Sequence, residues 1–226
     1  MNTQWAASAL AWWEEAGVDV IVGERPRDWL APPNKPAAPP ETPAPAALPN
    51  TLEGFGSWLA ATGDLPFASP SARRAVPAGD PASGLMVMVG MPTVDGSLLG
   101  GEGGALFDRM LAAIGRSRET IYLAPLSPFR PPTGRLDGAS KTHLGAIARH
   151  HIGLVAPKAV LLFGDNCGQA LIGAVVATAR GEWHEIQTQA GPIKALVTMK
   201  PDDIDGKPAL KKLVWADLQM LRDGLA

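Results

Sequence analysis

Short, largely apolar runs recur along the C-terminal three quarters of the chain. Four of them occupy Leu85–Val89, Thr120–Leu123, Ala159–Gly164 and Ile193–Thr198. Runs of this length without a regular polar alternation are typical of strands that are buried on both faces, as in a parallel sheet. The pattern therefore predicts four buried strands.

Segments with helical spacing of apolar residues, or with helix caps, lie between and around these runs. They are a helix from the N-cap Thr51 through Leu59, Ala105–Ile114 closed by Gly115, Ser140–Val155 stopped by Pro157, a helix capped by Asp165 or Asn166 through about Val176, and Pro208–Leu221. Strand and helix alternate four times. This alternation predicts a three-layer α/β fold in which helices flank both faces of a four-stranded parallel sheet.

The pattern divides the chain into three parts. Residues 1–30 contain a short helix, on which Trp5, Ala9, Trp12 and Ala16 form one stripe. This helix is expected to dock its tryptophans on the main body, and the alternative is a helix that binds a protein partner. Residues 31–50, dense in proline and alanine, are expected to be an extended linker, and residues 51–226 form the main domain.

The N-terminus and the apolar content bear on location. Among the 226 residues, no uninterrupted apolar stretch approaches the roughly 20 residues that cross a bilayer. The N-terminus lacks a basic region and carries Glu14 and Glu15 where a signal peptide would be apolar. We therefore expect a cytoplasmic protein with no membrane partner.

The loops at the strand ends carry the most distinctive sequence blocks, and in parallel sheets ligands bind at these ends. In order, the blocks read VGMP, GGEGGALFDRMLAAIG, YLAPLSPFRPPTGR, VLLFGDNCGQALIG, RGEWHEI and TMKPDDIDGKPALKKLVWADLQ. Over about residues 85–226 they resemble successive blocks of the bacterial and archaeal uracil-DNA glycosylases of the iron–sulfur type. The resemblance implies the same α/β fold and a role in base-excision DNA repair.

The resemblance places the base pocket at positions that carry other residues here. Gly90 matches a glycine of the first motif, but Met91 stands where the family has the acidic residue that helps to place the attacking water. A thioether cannot orient or deprotonate water. Leu99 stands at the phenylalanine that stacks on the extruded base, and Pro125 stands at the asparagine that reads the uracil edge.

The last motif is altered as well. Lys200 stands at the histidine that stabilises negative charge on the leaving base, and Pro201 is retained. The wedge that fills the gap in the duplex becomes Asp202-Asp203-Ile204. Since the loss of one preorganised donor can reduce the rate by about 10²–10³, the resemblance implies weak or altered excision of uracil.

Two residues are candidate replacements for the catalytic side chains. Asp95 lies in the same loop as Met91 and is a candidate for the pocket mouth, although Asp95-Gly96 is also an ordinary turn dipeptide. Lys200 offers a cation to a leaving base, although a solvated loop lysine is an equally ordinary interpretation.

Contact with single- or double-stranded DNA would have to come from a local basic surface, because the formal net charge is −2. Arg130, Arg135 and Lys141 are the candidates for phosphate contacts. Against this, Asp202 and Asp203 would bring two carboxylates towards a phosphate-lined duplex.

Three hypotheses follow from the sequence. The first is a working glycosylase with a rebuilt pocket, and the second is a catalytically silent relative that binds nucleic acid or a protein. The third is a small-molecule or nucleoside binder that uses the same crevice.

The single cysteine, Cys167, generates a prediction about the cofactor. One thiolate cannot ligate an iron–sulfur cluster or a cysteine-bound zinc within one chain, and no histidine cluster with metal-ligand spacing is evident. Phe129 replaces the family's cysteine before Arg130, and apolar packing of Leu65 and Phe67 is expected to hold residues 65–76. We expect purified protein to contain no iron by elemental analysis. A brown protein with stoichiometric iron and a visible charge-transfer band would contradict this.

Overall fold

The computed structural model describes residues 48–225. The predicted helical segment at residues 1–30, its suggested binding of a protein partner, and most of the linker at 31–50 lie outside the described residues.

Seven α-helices and six strands alternate along the described chain, with a 3-10 turn at Arg118–Thr120. The helices are α1 (Leu52–Ala61), α2 (Gly101–Ala113), α3 (Gly138–Val155), α4 (Gly164–Ile172), α5 (Val176–Ala179), α6 (Pro201–Ile204) and α7 (Pro208–Leu225). The strands are β1 (Ala78–Gly79), β2 (Leu85–Val89), β3 (Tyr122–Pro125), β4 (Ala159–Phe163), β5 (Trp183–Thr188) and β6 (Gly191–Thr198).

The strands form one sheet in the order β1-β3-β2-β4-β6-β5. The four central strands are parallel to one another, which confirms the predicted α/β architecture with its parallel core. The sequence missed the two edge strands, which are antiparallel to their neighbours. The reason is physical: β1 is exposed along both its residues, and Ile186 alone is buried in β5, so neither has the unbroken apolar run of a buried strand.

One predicted helix cap is wrong. Neither Asp165 nor Asn166 precedes α4, because the helix begins at Gly164 and the N-cap position falls on Phe163. Asp165 Oδ1 instead accepts a hydrogen bond from the backbone N–H of Val176 at 2.8 Å. Both side chains are thus available for roles other than capping their own helix.

The core lies in two layers, one on each face of the sheet. Residues of β2 alternate between them: Met86 and Met88 pack among the residues of α1, α3 and α4, whereas Leu85, Val87 and Val89 pack against α2 and α7. Because both faces are covered, every residue of β2 is buried. No helix in the described range 48–225 is both long enough and apolar enough to cross a membrane.

A buried polar pair joins β3 to α3. Tyr122 Oη and His151 Nε2 lie 3.0 Å apart, and the ring of Phe55 packs on His151 with 4.5 Å between ring centroids. Burial, together with the neighbouring His150, lowers the pKa of His151 to about 4, and burial raises the pKa of Tyr122 to about 12. The structure therefore holds His151 as a neutral imidazole at neutral pH.

This pair predicts a specific pH dependence of stability. In the unfolded chain His151 binds a proton near its ordinary pKa of about 6.5, whereas in the folded chain it does so only near pH 4. The unfolded state therefore binds more protons within this window, so stability is present above about pH 6.5 and is lost as the pH falls towards 4. The free energy of unfolding, measured in urea, should fall between pH 7.5 and pH 4.5 in the wild type. In His151→Gln the fall should be smaller by about 2 to 3 kcal/mol.

The control is His143→Gln, which changes an exposed histidine on the same helix. It should keep the pH profile of the wild type. Parallel profiles for the wild type and His151→Gln would show that His151 does not carry the effect.

Candidate functional site

The carboxyl ends of β2, β4 and β6 surround a cavity of about 140 Å³. It brings together five residues predicted from the sequence, namely Gly90, Met91, Leu99, Arg130 and Lys200. The other lining residues are Val89, Pro92, Thr93, Gly134, Phe163, Gly164, Asp165, Asn166 and Asp202. The loops after all four parallel strands thus meet at one site, as the position of ligands in parallel sheets predicts.

Two glycines at adjacent strand ends make room for polar side chains. A Cβ atom at Gly90 would lie 3.2 Å from both Cβ and Nδ2 of Asn166. A Cβ atom at Gly164 would lie 3.0 Å from Cγ of Lys200, and Gly164 also has a φ of +78°. Since Val89 and Phe163 are partners across the two strands, these glycines follow at neighbouring positions of the sheet. The side chains of Asn166 and Lys200 therefore pack directly against the backbone at these two strand ends.

A third glycine accommodates an acidic side chain. Asp202 lies in α6, and a Cβ atom at Gly103 would fall 1.8 Å from its Oδ1 atom. Gly103 is in the first turn of α2, where the backbone carries a partial positive charge that favours a carboxylate. The GGEGG segment, which has no nucleotide-binding spacing, is therefore explained in part by the close approach of Asp202.

Lys200 is in contact with a carboxylate but is not buried. Its Nζ atom lies 3.4 Å from Oδ1 of Asp203, and the side chains are 44% and 52% exposed, respectively. Exposed pairs of this kind are screened by water and contribute little. The aliphatic part of Lys200 lies over Gly164, so the ammonium group remains at the cavity wall.

A buried polar network supports the strand that leads to Lys200. Thr198 Oγ1 donates to Asp217 Oδ2 at 2.7 Å, and Arg180 Nη2 donates to Asp217 Oδ1 at 2.9 Å. Asp217 is 1% exposed, and its burial raises its pKa, an effect that Thr198 and Arg180 partly offset. This network could not be predicted from the sequence, because Thr198, Arg180 and Asp217 lie on separate segments of the chain.

Asp95 stabilises the turn that contains it. Its Oδ1 atom accepts hydrogen bonds from the hydroxyl of Thr93 and from the backbone N–H and hydroxyl of Ser97, the last two at 3.1 and 2.9 Å. These bonds, with that of Thr93 the strongest, lower the pKa of Asp95. Asp95 is exposed and does not line the cavity.

The two prolines of the predicted pocket lie beside it rather than in it. Pro125 is the buried last residue of β3, opposite Val89. Pro201 is buried at the first position of α6. Neither lines the cavity.

The three basic candidates for DNA contact are in different settings. Arg130 lines the cavity, and its Nη1 atom donates to the carbonyl of Pro92 at 3.2 Å. Arg135 is exposed on the following loop. Lys141 lies on α3, where its Nζ atom donates to Oε1 of Gln169 at 2.8 Å.

The residues of this chain do not fit an iron–sulfur cluster. Cys167 is wholly buried, and its burial raises the pKa of the thiol to about 12. Leu65 and Phe67 pack in the core layer that contains Phe129, and the guanidinium of Arg74 stacks 4.7 Å from the centroid of Phe129. Within residues 48–225, no group of three or more histidine, cysteine or acidic residues is placed to hold a metal ion.

The chain matches a known protein family. The model of the Uracil DNA glycosylase superfamily matches residues 60–219, more than two thirds of the chain. The matched segment includes every residue that lines the cavity.

The contact between Lys200 and the backbone at Gly164 yields a prediction. Gly164→Ala and Gly173→Ala each place a side chain at a positive φ, +78° and +74°, and should each lower the free energy of unfolding by about 1–2 kcal/mol. Only the first should displace Lys200, because nothing lies within 4 Å of a Cβ atom at Gly173. The rate at which an amine-specific reagent labels Lys200, measured by mass spectrometry, should change in Gly164→Ala alone. Equal labelling in both variants would contradict the contact.

Proposed function

The chain belongs to the uracil DNA glycosylase superfamily, and on that basis we propose that it is a base-excision repair protein with weak or altered activity. Its cavity would accept a single base extruded from DNA. We also propose that, within the superfamily, it descends from the iron–sulfur type and has lost the cluster cysteines.

The observation that carries this proposal is the cavity at the carboxyl ends of β2, β4 and β6. It lies where the resemblance places the base pocket, and it is lined by Gly90, Met91, Leu99 and Lys200. At about 140 Å³ it is smaller than the roughly 300–1,000 Å³ of pockets for drug-sized ligands. Such a volume favours one nucleobase over a whole nucleoside, and so favours a glycosylase-like pocket over a nucleoside-binding protein.

Weak or altered activity follows from the chemistry of the lining. Cleavage of the glycosidic bond develops positive charge on the sugar and negative charge on the base, so catalysis depends on preorganised electrostatics. Met91 cannot place a water molecule, and Leu99 offers apolar contact without an aromatic face. Lys200 stands at the position that the resemblance assigns to the departing base, and its ammonium group suits negative charge there.

The contact between Lys200 and Asp203 favours a second candidate, a catalytically silent relative that binds nucleic acid. A carboxylate 3.4 Å away neutralises part of the charge that the chemistry would need. In this case Arg130 and the exposed Arg135 would contact phosphates, and the cavity would carry no reaction.

A cleavage assay separates the two candidates. Oligonucleotides carrying uracil, hypoxanthine or xanthine, single- and double-stranded, would be incubated with purified protein and then cleaved at abasic sites. Excision of uracil should be far below that of a superfamily member with the full motifs, and robust multiple turnover would sink the proposal of altered activity. A mock preparation from cells that lack the protein, purified in the same way and tested alongside, would guard against contamination.

Lys200→Ala is the decisive variant. If the ammonium stabilises the leaving base, excision should fall more than tenfold, about 1.4 kcal/mol, while the protein stays folded. Lys194→Ala, an exposed lysine in the same strand region but away from the cavity, should change nothing. No excision by either protein, with unchanged binding to nucleic acid in Lys200→Ala, would favour the silent relative.

A further inference from the structure

Asn166 is a cavity residue to which the superfamily resemblance assigns no role. It lies in the first turn of α4, directly after β4, and is half-buried. Its side chain lines the same cavity as Met91 and Lys200. Within residues 48–225, the structure shows no hydrogen bond to its amide group, although most polar side chains near it are bonded.

The backbone is adapted to this side chain. Gly90 has an ordinary φ, so its lack of a side chain is not required by backbone conformation. A Cβ atom there would lie 3.2 Å from Nδ2 of Asn166, closer than nine in ten real contacts of that kind, so the amide would have to shift. Gly90 therefore gives the amide its place at the end of β2, as Gly164 does for Lys200 at the end of β4.

The two polar groups offer complementary hydrogen bonds. The Asn166 amide has both a donor and an acceptor, whereas the ammonium of Lys200 has donors only. The glycines beneath them follow paired residues of adjacent strands, which lie about 4.8 Å apart. A ring bound between them meets this pattern best when it presents an N–H flanked by carbonyl oxygens, as the imide edge of a deaminated base does. Cytosine presents an amino group in place of one carbonyl.

We propose that Asn166 reads the imide edge of the bound base, from the end of β4, in place of the asparagine that Pro125 replaces at the end of β3. This inference rests on the proposed function, and it makes Asn166 the residue that determines specificity. The neutral amide then lies two strands across the sheet from the family's position, because β2 separates β3 from β4. Lys200 supplies the second donor.

Binding to a base that cannot be cleaved tests the inference without requiring activity. Duplexes would carry 2′-fluoro-2′-deoxyuridine, 2′-fluoro-2′-deoxycytidine or a tetrahydrofuran abasic analogue at one position. The quantity measured is the ratio of the affinities for the uracil and abasic duplexes. In the wild type the uracil duplex should bind more tightly than both other duplexes.

Asn166→Leu keeps the approximate size of the side chain but removes its hydrogen bonds. It should lower the uracil-to-abasic ratio at least tenfold, while affinity for the abasic duplex stays within twofold. Gly90→Ala should lower the same ratio by crowding the amide. Gln187→Leu, which removes an exposed amide from β5, should have no effect, and thermal unfolding would verify the fold of each variant.

The outcomes distinguish failure of the role assigned to Asn166 from failure of the proposed function. If the wild type prefers uracil and Asn166→Leu retains that preference, the assignment of Asn166 is overturned and the proposed function stands. If the wild type binds all three duplexes equally, the pocket takes no base, and both proposals fall. If Asn166→Leu is unstable, Asn166→Ala and Gly90→Ala give the same two readouts.

Discussion

The site depends on the absence of side chains at the ends of two parallel strands. A parallel sheet covered on both faces buries mostly apolar side chains, so most polar groups at its carboxyl edge come from the loops and helices that follow. Gly90 and Gly164 let Asn166 and Lys200 reach that edge, and Gly103 does the same for Asp202. Three polar side chains, one from α4 and two from the start of α6, thus converge where Cβ atoms on these glycines would crowd them.

Rigidity around this edge comes from polar side chains that hydrogen-bond to one another. Asp217 binds both Thr198 and Arg180 beneath the loop that carries Lys200, and a buried carboxylate is tolerated there only because it is paired. On the other side, Asp95 ties Thr93 to Ser97 and fixes the loop after β2. The cavity wall is therefore held by hydrogen bonds on both sides, and the side chains with free polar groups project from a fixed frame.

The parallel strands could be predicted from the sequence because burial on both faces leaves an unbroken apolar run, as in β2. Edge strand β5 could not, since most of its residues are exposed and it is defined by its partner β6. The same division holds for the site. Met91, Leu99 and Lys200 were found through motif positions, whereas Asn166 was interpreted as a helix cap. Its role follows from the contact with Gly90, which is distant in sequence and has no local signal.

The charges at the cavity set the remaining constraint on what this site can do. Lys200 and Asp203 are both about half exposed, so water screens their attraction and leaves the ammonium able to exchange partners. A base that enters the cavity would displace water and lower the local dielectric, which strengthens every nearby charge interaction. An anionic leaving base would then interact with Lys200 more strongly than it would in solvent, and would compete better with Asp203 for the ammonium group. Asp202 is poorly placed to pair with Lys200 in place of Asp203, because its carboxylate occupies the space above Gly103. The balance between a silent and an active site is therefore set by whether a bound base excludes enough water to draw Lys200 away from Asp203.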